Sequence, residues 1–303
     1  MGLRKFFVLS DRVQYALETG APVVTIESTV FVHGLPLQES RTVAEELLTI
    51  IEEEGAVGAI LAIADGKIHA GIELDRLFGG EEFEKTAYRD VPATLSRRTC
   101  GELTVSSSVF VTHLLGQEVF VTGGIGGVHP PSGGVVDISQ DIAVMGKFPV
   151  TVVSSGAKSI LDVPQTLEAL EAVGVEVIGF KTDSFPLFYT AQSEYPIPCS
   201  VSSVEEAARI IVTARRIGFP SSFLVANPVP EEFSIKREEI DGLLPEIYEE
   251  MNAQGISGKQ VTPFILRRLH EKTNGKTVQT NIALLRENAR LGARLACAIK
   301  QSC

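Results

Sequence analysis

The chain has 303 residues, 44% hydrophobic and 21% charged, with 27 glycines, which is enough to bury a large core in one α/β domain or two smaller ones. A net charge of −11 argues against nucleic acid as a partner, because a sequence-independent binder needs a basic face, though a local cluster that grips one phosphate remains compatible with it. No apolar run reaches the length of a membrane span, and none of Cys100, Cys199, Cys297 and Cys303 forms a C-x-x-C pair, so a cytoplasmic protein with free thiols and no membrane partner is expected.

In chain order, "PVVTIES" reads as a buried strand. A helix follows through "ESRTVAEELLTIIEEEG", with Val43, Leu47, Ile50 and Ile51 on one face and Gly55 as its stop. "AVGAILAIAD" is the next strand, and "KIHAGI" is expected to pair with it across an Asp65-Gly66 turn. "SSSVFVTHLLG" reads as a helix leading into the strand "EVFVTGG". "PVTVVSS" is a further strand, and the helix after it carries Pro164 near its start and ends at Gly174. "VEVIGF" and "SSFLVANPVP" contain strands, whereas "VEEAARIIVTARRIG" and "TVQTNIALLRENARLGARLACAIK" are helices. Repeated β-α-β units with continuously apolar strands predict a single α/β domain over 1–303, a mostly parallel sheet with helices on both faces.

Ligands of such sheets sit at the carboxyl ends of the strands. Four of the strands end in polar or glycine-rich segments: Glu27-Ser28-Thr29, Thr122-Gly123-Gly124, Ser154 to Lys158, and Asn227-Pro228. The run "TGGIGGVHPPSGGVVDISQDI" fails as a dinucleotide fingerprint, because His129 stands where G-x-G-x-x-G needs its last glycine, which weakens a nucleotide-dependent oxidoreductase. Its glycines instead suit a loop that approaches a ligand with exposed amides. Lys158 is no Walker lysine, since Ala157 precedes it. It reads as a solvated turn residue or as an amine nucleophile, which small apolar neighbours and the start of the next helix would favour. Asp137 and Asp141 share a face if their segment is helical; they suit a hard divalent cation, or equally a helix cap plus a surface acid. Glu27 on a buried strand end must be paired, protonated or functional. His33 and His129 serve as hydrogen-bonding partners or as structural residues.

Taken together, "IESTVFVHGLP", "VTGGIGGVHP", "VDISQDI", "SSGAKSILDVPQTLEALE", "FPLFYT", "VANPVPEEF", "GKQVTPFILRRLHEKTNG" and "TNIALLRENARLGA" resemble, in this order, the pseudouridine-5′-phosphate glycosidases, or indigoidine synthase A-like family, from about residue 10 to 300. The resemblance implies reversible cleavage of the carbon–carbon glycosidic bond of pseudouridine 5′-phosphate to uracil and ribose 5-phosphate, a small-molecule nucleotide substrate, a divalent ion (Mn²⁺, with Mg²⁺ as an alternative) and a homotrimer. It places Glu27 at the proton donor, Lys158 at the nucleophile and Asp137 at the metal ligand. Lys85, Thr104, Val105, Ser139, Gln140, Asp141 and Asn281 fall at substrate or active-site positions, and His129 is expected beside the substrate with them.

The stretch "RRTCGELTV" departs from the family's "GKNGATTV"-like run: Arg98, Thr99 and Cys100 replace the preceding glycine, lysine and asparagine. That departure opens the alternative of a related C- or N-glycoside phosphate. A catalytically silent binding protein on the same fold is the other alternative, against which Glu27, Lys85, Asp137 and Lys158 stand together.

Overall fold

The strands are β1 (Phe7–Leu9), β2 (Val23–Glu27), β3 (Val57–Ala64), β4 (Lys67–Ala70), β5 (Glu84–Thr86), β6 (Gly101–Leu103), β7 (Val119–Val121), β8 (Thr151–Ser154), β9 (Glu176–Phe180), β10 (Cys199–Val201) and β11 (Phe223–Ala226). All of them join one sheet in the order β1-β4-β3-β2-β7-β8-β11-β9-β10, with β6 on β3 and β5 on β6. These strands come from a computed structural model that describes residues 4–130, 136–256 and 258–302; Cys303 and positions 131–135 of the glycine-rich loop lie outside the described residues.

The sheet is covered on both faces, and β3 shows why its sequence is apolar without alternation. Ala59, Leu61 and Ile63 enter a core shared with Val13, Ala16 and Val111, while Ile60, Ala62 and Ala64 enter a larger core with Leu47 and Ile51. A strand buried on both faces has no polar side to alternate with. The helices Asp11–Thr19 and Val105–Leu114 pack on the first face, and Leu37–Glu53 on the second. The long helix Lys276–Ser302 lies over β2, β7 and β8.

Pairings are parallel except where β3 meets β4 and β6. The β3–β4 hairpin turns at Asp65 and Gly66, both at positive φ (54° and 73°), as a two-residue turn of this type requires. Gly55 and Gly174 lie just beyond helix ends with φ of 87° and 74°. Pro164 sits in the first turn of Val163–Ala172.

The condition for Asp137 and Asp141 to share a face is not met. Asp137 is not helical: the helix is Gln140–Met145, and Ser139 caps its start by accepting from the Asp141 amide at 3.2 Å. Asp137 lies before it, where its carbonyl accepts from the His129 amide at 2.9 Å. Asp137 and Asp141 therefore do not share a helical face. The local reason is Ser139, whose side chain bonds the backbone two residues on and sets the helix boundary there.

Candidate active site

The polar strand ends come from neighbours. β2, β7, β8 and β11 are consecutive and parallel, so Glu27, Thr122, Ser154 and Asn227 emerge at one edge. A cavity of 360 Å³ opens there, with Glu27, Lys85, Thr104, Val105, His129, Asp137, Ser139, Gln140, Asp141, Lys158 and Asn281 in its wall. Every site residue expected from the sequence thus lines one cavity.

Glu27 is the most buried acid in the cavity wall, 4% exposed. Thr122 Oγ1 donates to its Oε1. Burial raises its pKa above the ordinary carboxylate range, against the opposing pull of Lys158 and the Thr122 hydrogen bond. A raised pKa moves a carboxyl toward the range suited to a general acid. Lys158 lines the same cavity within electrostatic reach of it, half-buried, in the loop between β8 and the helix Val163–Ala172. Its amide donates to Ile125 O at 3.1 Å, tying it to the exit of β7. The start of that helix gives Lys158 less than the sequence suggests: Asp162 already caps it, accepting from Gln165 N at 3.1 Å.

Gly156 fixes the approach to Lys158. It has φ of 75°, and a Cβ there would stand 1.9 Å from the Pro186 carbonyl oxygen. Gly156→Ala is therefore expected to destabilise the protein by on the order of 3 kcal/mol, combining backbone strain with a clash against main chain. A thermal melt of the variant checks this, and an unchanged midpoint would refute it. Gly124 has a related part: a Cβ would meet the Phe188 ring at 2.6 Å, so the glycine makes room for that ring rather than for a ligand alone.

The glycine loop is also less open than a phosphate cradle needs. The amides of Ile125, Gly126, Val128 and His129 donate to Gly156 O, Asp141 Oδ2, Thr166 Oγ1 and Asp137 O. Asp141 is similarly committed. Buried to 6% exposure, it accepts from Gly126 N at 2.8 Å and from Ser106 N at 2.9 Å, in the first turn of Val105–Leu114. An anion at a helix start is held by the amides and the dipole. Thr104 precedes that helix and meets Ser106 through its hydroxyl at 3.1 Å. Gln140 Oε1 accepts from the Arg89 amide at 3.1 Å.

Among the described residues no group of three or more His, Cys, Asp or Glu side chains is arranged to hold a metal. Asp137 nevertheless suits a weakly held hard cation: it is exposed at the cavity wall, whereas Asp141 is occupied by amides. Mg²⁺-like ions take one or two carboxylates and complete their shell with water and substrate oxygens. His129 faces this corner; burial lowers its pKa, Asp137 opposes that, and Lys158 and Lys85 add to it. Lys85, on β5, is lowered by burial first and by Lys158 next.

Asn281 projects from the long helix at 2% exposure, donating to Gly34 O at 3.1 Å, while its Oδ1 lacks a hydrogen-bond partner among the described residues. His33 lines this cavity and an adjoining one of 660 Å³.

Three residues escaped the sequence reading. Asn288, fully buried, donates to Thr122 O at 2.9 Å and Ser155 Oγ at 3.2 Å and accepts from Asn227 Nδ2 at 3.0 Å, so it ties the ends of β7, β8 and β11 together. It lies seven residues after Asn281 on the same buried stripe, and an amide on an apolar stripe is the signal that would have found it. Phe188, at φ 61°, roofs the glycines. Glu102 lies beneath the wall.

A family model described as indigoidine synthase A like protein matches residues 12–298. The pseudouridine-5′-phosphate glycosidase of Symbiobacterium thermophilum is 42% identical over 96% of this chain and 97% of its own length. The protein of the same name from Staphylococcus aureus is 39% identical over 99% and 98%. The crystal structure of an indigoidine synthase A-like protein from Thermotoga maritima superposes with a TM-score of 0.89 at 38% identity, over 97% of each chain. That of the prealnumycin C-glycosynthase AlnA, in complex with ribulose 5-phosphate, gives 0.90 at 28% identity, over 98% of each.

Proposed function

The chain belongs to the indigoidine synthase A-like family, and from that premise we propose that it is a pseudouridine-5′-phosphate glycosidase, cleaving the carbon–carbon glycosidic bond reversibly to uracil and ribose 5-phosphate. The observation that carries the reading is the pairing, in one cavity, of a buried acid with a raised pKa, Glu27, and a lysine, Lys158.

The leaving atom is a ring carbon, so it departs only if it receives a proton. The Lys158 amine bonds to C1′ as the C1′–O4′ bond breaks, and a proton passes from the new ammonium to the leaving ring oxygen, which opens the sugar as a hydroxyl. Glu27 then protonates C5 of the base, and the C1′–C5 pair stays with uracil. C1′ is left as an imine of Lys158. One water hydrolyses it, releasing ribose 5-phosphate and returning the amine, while Glu27 is reprotonated. Lys85, with Ser139 and Gln140 nearby in the wall, supports a phosphate contact. A divalent ion held by Asp137 with water would supply positive charge that orients the substrate.

On the same reading the protein acts in the cytoplasm as a homotrimer. The unpaired thiols of Cys100, Cys199 and Cys297 accord with a reducing compartment, and no helix among the described residues is long and apolar enough to cross a membrane. A related C- or N-glycoside phosphate is the second reading, favoured by Arg98, Thr99 and Cys100 in the stretch that departs from the family pattern.

Incubation with pseudouridine 5′-phosphate and Mn²⁺, followed by absorbance and chromatography, should show uracil appearing. No uracil from well-folded protein would reject the main reading. Chelation should abolish turnover and Mn²⁺ restore it, while Asp137→Ala loses metal affinity with its melting point retained. Full activity with no residual metal by elemental analysis would reject the metal.

A further inference from the structure

Glu102 sits on β6 at 0% exposure, and neither of its carboxyl oxygens has a hydrogen-bond partner among the described residues. Such a group is uncommon and calls for a reason. Its surroundings supply one. In the sheet Glu102 is paired with Lys85 of β5 and Ala62 of β3, so its side chain stands beside that of Lys85 on the same face. Its Oε1 is 3.5 Å from His33 Nε2. Lys85 and His33 line the cavity, and Glu102 does not. A buried acid thus lies directly behind two side chains that can carry positive charge.

We propose that Glu102 is a positioning residue for substrate binding, a buried acid that acts through Lys85 and His33 and, in alkaline solution, keeps the Lys85 ammonium charged for the substrate's phosphate. This rests on the phosphate-ester reading above. The groups facing Glu102 are Lys85 from β5, His33 from the end of the helix Thr29–Val32, and Glu27 from β2; β3 presents the non-titrating Ala62. Burial pushes the Glu102 carboxyl up to about 8, with Lys85 pulling down and Glu27 pushing up. Burial and Lys158 lower Lys85, while Asp141, Glu102 and Glu27 resist. Below pH 8 the acid is neutral. Above it the acid ionises, and a negative charge appears beside Lys85, an amine whose pKa burial holds below the usual lysine value.

Glu102→Gln keeps the shape and cannot ionise. Its KM for pseudouridine 5′-phosphate should stay within about twofold of wild type at pH 6.5 and rise about tenfold at pH 9, as one pKa unit on Lys85 implies. kcat should change less than about threefold at both values, and KM for unphosphorylated pseudouridine should not move. Independently of turnover, competitive acetylation of amines, read by mass spectrometry on the Lys85 peptide, should show a lower midpoint pH in the variant. An unmoved midpoint overturns the proposal, as does a fall in kcat alike at both pH values and with both substrates. Should Glu102→Gln melt below the assay temperature, Glu102→Ala is read by the same labelling. If wild type itself fails to prefer the phosphate ester, the phosphate reading falls, and the labelling midpoint still decides the part played by Glu102.

Discussion

Lys158→Arg is expected to turn over pseudouridine 5′-phosphate no faster than Lys158→Ala, both on the order of 10⁴-fold or more below wild type. Arginine keeps the positive charge but offers no free amine, so the comparison separates a nucleophile from an electrostatic anchor. Borohydride with ribose 5-phosphate should inactivate the wild-type enzyme, since hydride converts the imine to a stable secondary amine. Mass spectrometry should place the sugar phosphate on the peptide carrying Lys158. Substantial turnover by the arginine variant, or an adduct on another lysine, would overturn the assignment.

The second large effect is on Glu27. Glu27→Gln should lose about 10²- to 10⁴-fold in kcat, the usual contribution of a positioned acid, with little change in KM. Because burial raises this carboxyl, it is protonated and competent at low pH, and cleavage should slow as pH rises through its pKa. That alkaline limb should lie above the ordinary glutamate value of about 4.3 and vanish in Glu27→Gln. Thr122 donates to the Glu27 carboxylate and so favours the ionised form. Thr122→Val should accordingly move the limb to higher pH. A Glu27→Gln enzyme with near wild-type kcat, or one that keeps the same limb, would rule this role out.

Much of this arrangement is legible in the sequence, for a physical reason. Strands covered on both faces leave continuous apolar runs, and Glu27 and Lys158 interrupt or end such runs, so their positions stand out. Asp141 was harder. Its spacing from Asp137 fits a helix, yet the Ser139 side chain starts the helix after Asp137, and two distant amides claim the Asp141 carboxylate. The glycine loop misled in the same way, since its amides close on Gly156, Thr166 and Asp137 through contacts that no spacing rule encodes. β5 and β6 are three residues each, too short for periodicity to register, and so Glu102 could not be placed behind Lys85 until the register was known.

The attachment of those two strands has its own consequence. β2 and β8, which carry Glu27 and Lys158 to the cavity, are each flanked by hydrogen-bonded neighbours on both sides. β5 and β6 instead form a small flap hooked to β3 at Ala62 and Ile63. On the proposed reading, the residues that break the bond and the lysine that grips the phosphate are therefore mounted on separately attached strands. On that reading, descendants of such a chain can trade one anionic handle for another by altering the flap, residue by residue, while Glu27 at the end of β2 and Lys158 in the loop after β8 keep their places.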